Sequence, residues 1–286
     1  MTHSIPDNFG GLPKPYSDYR AATVAVLPVP FDKTSTWGKG ADQGPAALIK
    51  ASQVVEWYDC ETGVEAHRHG IATLPPVRAA TPQAMVRAVR ARTARLLDDG
   101  KFMVLLGGEH SVSAGAIEAH AARYPGLSVL HLDAHSDRRD RYEGSRFNHA
   151  CVMARAQETV DGRVVSAGIR SMDASELPAV DPKRMFFAHR IRRDPDWVLK
   201  AVRQLTKDVY VTVDLDVFDS GLMPSTGTPE PGGLDWYQVT DLLRETCARR
   251  NVVGLDVVEL CPNRSNRAPD FLAAKLVFKV LSYKFK

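Results

Sequence analysis

Asp133, His135 and Asp137 stand two residues apart at the end of the apolar run Leu130-His131-Leu132. If the extended conformation continues past that run, a period of two sends all three side chains to one side. A second apolar run, Val209-Tyr210-Val211-Thr212-Val213, ends in the alternating carboxylates Asp214 and Asp216. Carboxylates crowded together repel one another and take up protons unless a cation holds them. The two strand ends therefore predict a metallohydrolase with a two-metal centre. His110, in the segment Gly107-Gly108-Glu109-His110-Ser111, brings the set to two imidazoles and four carboxylates. That mostly oxygen donor set suits Mn²⁺ best, with Zn²⁺ or Co²⁺ as alternatives and Ca²⁺ disfavoured. Asp133 and Asp214 are the candidates to bridge two ions roughly 3.5 Å apart, and a water shared by two cations becomes hydroxide near neutral pH.

Each motif alone has a plainer reading. Asp137 could cap a turn, the Asp214–Asp216 pair could be solvated, and His110 could be an ordinary hydrogen-bonded histidine at a helix start. His131, inside its strand, reads as a buried neighbour of the ligands and not as one of them. What favours the metal is the scaffold these residues need. Strand-like runs fall at 22–27, 102–106, 127–132, 164–167, 185–188, 209–213 and 252–258. Helical stretches fall at 45–57, 82–97, 111–124, 149–156 and 194–205, within 234–249, and at 271–283. Pro28 and Pro30 should cut off the first strand, while Pro45 and Pro82 suit first helical positions. Residues 1–20 read as an irregular lead-in and 31–44 as a loop.

Short strands alternating with helices predict βα units. Strands apolar on both faces, as in FMVLL and YVTV, predict a sheet covered on both sides. The expected fold class is α/β: one three-layer α/β/α domain over residues 1–286 with a mostly parallel central sheet. A closed eight-stranded barrel is the alternative. In either, ligands gather beyond the carboxyl ends of the strands. His110, Asp133 to Asp137, Asp214 with Asp216, and Glu259 each follow a separate strand and so share that edge.

The rest of the chain narrows the partners. Its 286 residues carry a net charge of +3 from 37 basic and 34 acidic residues, with no basic stripe to track a nucleic acid. The densest basic cluster, Arg138, Arg139 and Arg141, lies beside the candidate site. No apolar run approaches a membrane span, and the N-terminus lacks a secretory pattern. Four scattered cysteines, Cys60, Cys151, Cys247 and Cys261, form no pair suited to a disulfide scaffold, so a reducing cytoplasm is expected.

GGEH, DAHSD and DLDVFD, with PFD upstream and GTPEPGG and DVVEL downstream, resemble the motifs of the ureohydrolases, the family of arginase and agmatinase, over residues 24–283. The resemblance implies an arginase-like fold and two Mn²⁺ ions per subunit, held by His110, Asp133, His135, Asp137, Asp214 and Asp216. It also implies a catalytic His149, in RFNHA, and a Glu259 that orients a planar guanidinium by bidentate pairing. Asp137 would take the proton of the attacking hydroxide and pass it to the leaving amine. Homo-oligomers, trimers or hexamers, are implied as well. The stretch RRDRYEGSRFNHACVMAR and GTPEPGG lean toward agmatinase, which converts agmatine to urea and putrescine. Arg264 and Arg267, in a segment that departs from the family pattern, could instead favour a carboxylate-bearing substrate such as guanidinobutyrate or guanidinopropionate. Arginase activity and a non-catalytic, metal-binding regulatory role are the remaining readings.

Overall fold

The structure, a computed structural model, describes residues 5–286; residues 1–4 of the lead-in lie outside it. The strands are β1 (Val24–Val29), β2 (Tyr58–Asp59), β3 (Val64–Glu65), β4 (Ile71–Thr73), β5 (Phe102–Gly107), β6 (Ser128–Leu132), β7 (Val164–Ile169), β8 (Met185–Phe187), β9 (Asp208–Asp214) and β10 (Asn251–Val258). Eight of them form one sheet in the order β4-β1-β5-β10-β9-β6-β7-β8, every pairing parallel. Strands β2 and β3 make a separate antiparallel hairpin. The large sheet is open at β4 and β8, which rules out the closed barrel.

The helices are α1 (Lys14–Ser17), α2 (Gly44–Ser52), α3 (Pro82–Asp98), α4 (Ser113–Arg123), α5 (Val152–Thr159), α6 (Ala188–Ile191), α7 (Trp197–Gln204), α8 (Trp236–Arg249) and α9 (Ala268–Lys284). Strand alternation divides the apolar side chains between two cores. Val24 and Val26 of β1, with Val211 and Val213 of β9, pack against α2, α7, α8 and α9. Ala25, Leu27 and Val29, with Met103 and Leu105, face α3, α4 and α5. The result is the three-layer α/β/α arrangement, in which each fully buried Leu or Val contributes roughly 1.5–3 kcal/mol.

Two differences from the sequence reading have local causes. Strand β1 does not stop before Pro28; it runs through it to Val29, in register with Leu106 and Gly107. The Pro28 carbonyl accepts from the Val77 N–H, so its missing donor faces the side where β4 has already ended and no ladder bond is lost. The helix expected over 45–57 ends at Ser52, whose hydroxyl donates to the Ile49 carbonyl and accepts the Gly10 N–H. Strands β2, β3 and β4 are not in the sequence reading, because each has only two or three residues.

The strand order is what gathers the candidate ligands. β5 and β6, which carry His110 and the Asp133–Asp137 segment, are not neighbours; β10 and β9 lie between them. Four adjacent strands thus end together at one carboxyl edge.

Candidate metal centre

At that edge the six predicted ligands converge. His110 Nδ1 lies 3.1 Å from Asp133 Oδ2, 3.2 Å from Asp137 Oδ2 and 3.4 Å from Asp214 Oδ2. His135 Nδ1 lies 2.9 Å from Asp216 Oδ2 and 3.5 Å from Asp133 Oδ1. Asp133 is the residue common to both groups, one with His110 and His131 and one with His135 and Asp216, whose ligand atoms all lie within 4.8 Å. His131 behaves as a neighbour of the ligands. Its Nε2 donates to Asp133 Oδ2 at 2.7 Å and its Nδ1 meets Ser166 Oγ at 3.0 Å, so the protein occupies both nitrogens.

The His110 ring shows why this cluster calls for a cation. Thr212 Oγ1 donates to Asp256 Oδ1 at 2.6 Å and so accepts from His110 Nε2 at 2.9 Å. In the neutral ring that leaves the Nδ1 lone pair, buried and without a hydrogen-bond partner, facing three carboxylate oxygens. Such a site needs positive charge at Nδ1, and two imidazoles with four carboxylates are a donor set for divalent metal. Electrostatics point the same way. Burial opposes a charge on His110, but Asp133, Asp137 and Asp214 hold its proton affinity well above the ordinary range. Burial and then the charge of Asp133 raise Asp137 to about 6, and burial with Asp216 and Asp133 raises Asp214 well above a normal carboxylate.

A cleft of about 150 Å³ opens over the cluster, lined by His135, Asp137, Asp214, Asp216, His149 and Glu259, with Trp37, Arg139 and Tyr142 toward the loops. Glu259 Oε1 accepts the His110 N–H at 2.6 Å, and no donor among the described residues reaches Oε2. Burial and then the charge of Glu109 push its carboxyl well above the usual range, as expected of a carboxylate awaiting a cationic partner. Asp137 (φ 53°) and Glu259 (φ 67°) both hold left-handed backbone without being glycine, a strain found where surrounding structure over-determines a functional side chain.

Several supporting residues were not read from the sequence. Glu109, fully buried, accepts from the Lys33 and Thr34 N–H groups and from the hydroxyls of Thr34 and Ser111, pinning the 32–38 loop over the cleft. The contact requires Gly108: a Cβ there would stand 2.0 Å from the Phe31 carbonyl oxygen. Asp32 of the PFD motif shapes the far side of the loop by accepting from the Gly40 N–H at 2.7 Å. Arg170 donates to the carbonyls of Asp216, Phe218, Glu230 and Pro231, tying the loop after β9 to the segment beside His135.

One alternative left open by the sequence loses its support. Arg264 and Arg267 do not line this cleft; they border a separate cavity with Pro28, Pro45, Pro76 and Arg78, and Arg267 Nε pairs with Asp270 at 2.7 Å. The arginine that does reach the cleft, Arg139, lies over the Tyr142 ring and within 3.5–3.8 Å of Asp173 and Glu176.

An open parallel α/β sheet with a two-imidazole, four-carboxylate cluster at its carboxyl edge is an architecture suited to a metal-dependent hydrolase. Sequence comparison is specific about which: residues 22–282 match the Arginase family, and the chain belongs to that family. It is an agmatinase-like ureohydrolase, and its relatives agree. The N(1)-aminopropylagmatine ureohydrolase of Synechocystis sp. is 36% identical, covering 97% of this chain and 96% of its own. An enzyme of the same name from Thermus thermophilus is 39% identical, covering 96% and 94%. Among solved structures, the agmatine ureohydrolase of Thermoplasma volcanium superposes with a TM-score of 0.88 at 29% identity, over 99% of this chain and 96% of that one. No helix among the described residues is long and apolar enough to cross a membrane.

Proposed function

We propose that this chain hydrolyses the guanidino group of agmatine, and of agmatine bearing an N1-aminopropyl extension, to urea and the corresponding amine. The reading includes two Mn²⁺ ions per subunit, held by His110, Asp133, His135, Asp137, Asp214 and Asp216, in a cytoplasmic homo-oligomer. The observation that carries it is the His110 Nδ1 lone pair facing three carboxylates from two chain segments, with the free Glu259 Oε2 opening on the same cleft. When bound, the ions supply Lewis-acid activation of water at neutral pH. Glu259 pairs with the guanidinium and orients its carbon toward the attacking water. Asp137 accepts the proton released as the new C–O bond forms. It returns that proton to the alkyl nitrogen as the C–N bond breaks, and the remaining hydroxyl proton follows to the departing amine as the urea carbonyl forms, giving urea and a protonated amine.

Two observations support this choice of substrate, the activities for which the relatives are named and the places of the arginines. Arg264 and Arg267 border another cavity, and Arg139 is already engaged by carboxylates, which weakens the case for guanidino acids. Protein loaded with Mn²⁺ is expected to release urea from agmatine and N1-aminopropylagmatine with kcat/KM at least about tenfold above arginine and 4-guanidinobutyrate, a difference of about 1.4 kcal/mol. Preference for either amino or guanidino acid, or no urea from the panel, overturns the proposal.

The Arg170 clamp gives a separate expectation. Arg170→Ala strips a donor from several backbone carbonyls at once and should destabilise the fold by about 2–3 kcal/mol. By loosening the loop that carries Asp216, it should also weaken Mn²⁺ binding about tenfold. Calorimetric titration with Mn²⁺ checks this; wild-type affinity in the variant means that the loops hold their places without the guanidinium.

A further inference from the structure

We infer that Thr34, backed by Glu109, fixes the His149 ring in the tautomer protonated at Nδ1, leaving Nε2 as the nitrogen that takes and gives protons in the cleft. The inference rests on the ureohydrolase reading for what those transfers serve, and on hydrogen-bond accounting for the tautomer itself. Thr34 Oγ1 sits between two partners. On one side it lies 2.6 Å from Glu109 Oε1, and on the other it lies 3.0 Å from the His149 backbone nitrogen and 3.3 Å from His149 Nδ1.

A threonine hydroxyl has one proton and two lone pairs. Glu109 Oε2 already receives the Lys33 and Thr34 backbone N–H groups, and Oε1 receives the Ser111 hydroxyl at 2.6 Å, so this carboxylate acts as acceptor throughout. The Thr34 proton therefore goes to Glu109. Both lone pairs then face His149, and each needs a donor. The backbone N–H satisfies one and Nδ1–H the other. No second tautomer fills this set from the protein: with the proton on Nε2, two lone pairs would meet 3.3 Å apart.

The arrangement also explains why the 32–38 loop is held so firmly. Glu109 adjoins His110 in sequence and reaches across to the loop, so the element that places a metal ligand also places the residue that orients His149. Thr34 touches neither the metal cluster nor the substrate cleft; it is a positioning residue. The neighbouring Asn148, whose side chain accepts the Ala150 N–H, sets the turn from which His149 projects but offers the ring no bond.

Neutron diffraction from crystals of the Mn²⁺-loaded wild-type protein tests the tautomer directly, since it places hydrogen. A proton on His149 Nδ1 is expected; a neutral ring protonated on Nε2 alone overturns the inference whatever the enzyme's substrate proves to be. Kinetics then test its use. Thr34→Val removes the hydroxyl at nearly constant shape and should lower kcat about ten- to a hundredfold, the range for losing an oriented outer partner, with KM and bound manganese unchanged. Thr34→Ser should restore the rate. In the double variant Thr34→Val/His149→Asn, the loss should equal that of His149→Asn alone, because the two act through one ring. Full additivity, or a Thr34→Val enzyme with wild-type kcat, overturns the inference. If Thr34→Val does not fold, a Thr34→Ser enzyme that is slow despite its hydroxyl and full metal content does the same. Failure of the ureohydrolase reading is distinguishable, because it appears as no urea from the wild-type protein.

Discussion

Chelating the metal should abolish urea release and lower Tm, and the drop in Tm should be larger at pH 8 than at pH 6. Metal binds the deprotonated carboxylates, so protons compete with it. Asp137 titrates at about 6 without metal, against an ordinary 3.8, and Asp214 lies well above that value. Metal affinity is therefore lost as pH falls through about 6. The metal-free fold has the opposite slope. A carboxyl raised in the folded state binds more protons there than in the unfolded chain. Its contribution is favourable below the unfolded value and is lost as pH rises, for Asp137 between about 4 and 6. His110 and His135, raised by their carboxylate neighbours, act in the same direction at higher pH. Asp133 is lowered and opposes them, in a window below its ordinary value of 3.8. The metal-free protein thus weakens where the loaded one is strongest. At a free metal concentration about a hundred times Kd the stabilisation is about 2.7 kcal/mol. Scanning calorimetry with and without chelator at the two pH values checks the sign. Activity that survives removal of the metal, or a Tm gap that does not widen with pH, would count against the centre described.

Asp137→Asn should cost at least about a hundredfold in kcat, the usual scale for losing general acid–base help. Asparagine is the informative replacement because it tolerates the left-handed backbone that Asp137 adopts at φ 53°, so the turn into the His149 segment survives. The Asp137 carbonyl accepts the Met153 and Ala154 N–H groups at the start of α5, and the substitution leaves those bonds in place. What disappears is one negative charge beside His110 and the capacity to accept a proton. Manganese should remain bound in part, through His110, Asp133, His135, Asp214 and Asp216. Metal content and rate must be read on one preparation. A hundredfold loss with both ions present assigns the proton transfer to Asp137. The same loss with an ion missing assigns the effect to its role as ligand. Urea release near the wild-type rate at saturating Mn²⁺ removes Asp137 from both.

The ligand cluster was legible because its chemistry is carried by residue type at short spacing. The alternation Asp133-Ala134-His135-Ser136-Asp137 and the pair Asp214 and Asp216 each follow an apolar run, and the structure brings all six predicted ligands to one sheet edge. Strands of five or more apolar residues were equally visible. Strands β2, β3 and β4 were not, since two or three residues of mixed polarity or beside Gly70 carry no period. The supporting groups stayed hidden for a different reason. Thr34 and Arg170 act through backbone amides and carbonyls far away in sequence, and a carbonyl has no residue identity to read. Glu109 stood inside a recognised motif, yet its partners lie 75 and 76 residues earlier. The place of Arg264 and Arg267 stayed open in the sequence, because the residues after Glu259 carry no period or motif; in the structure they border another cavity, beside Pro262.

The strand order imposes a sequence of events on a newly made chain. His110 and the Asp133–Asp137 segment emerge early, on strands that cannot pair with each other in the finished sheet. The two strands that fill the space between them, β9 and β10, come from the last third of the chain, and they bring Asp214, Asp216 and Glu259 with them. Until that pair inserts, the early ligands belong to two unconnected half-sheets whose inner edges are bare backbone. Completion of the six-residue cluster is accordingly a late event of folding, open only to a polypeptide in which β9 and β10 have already been made.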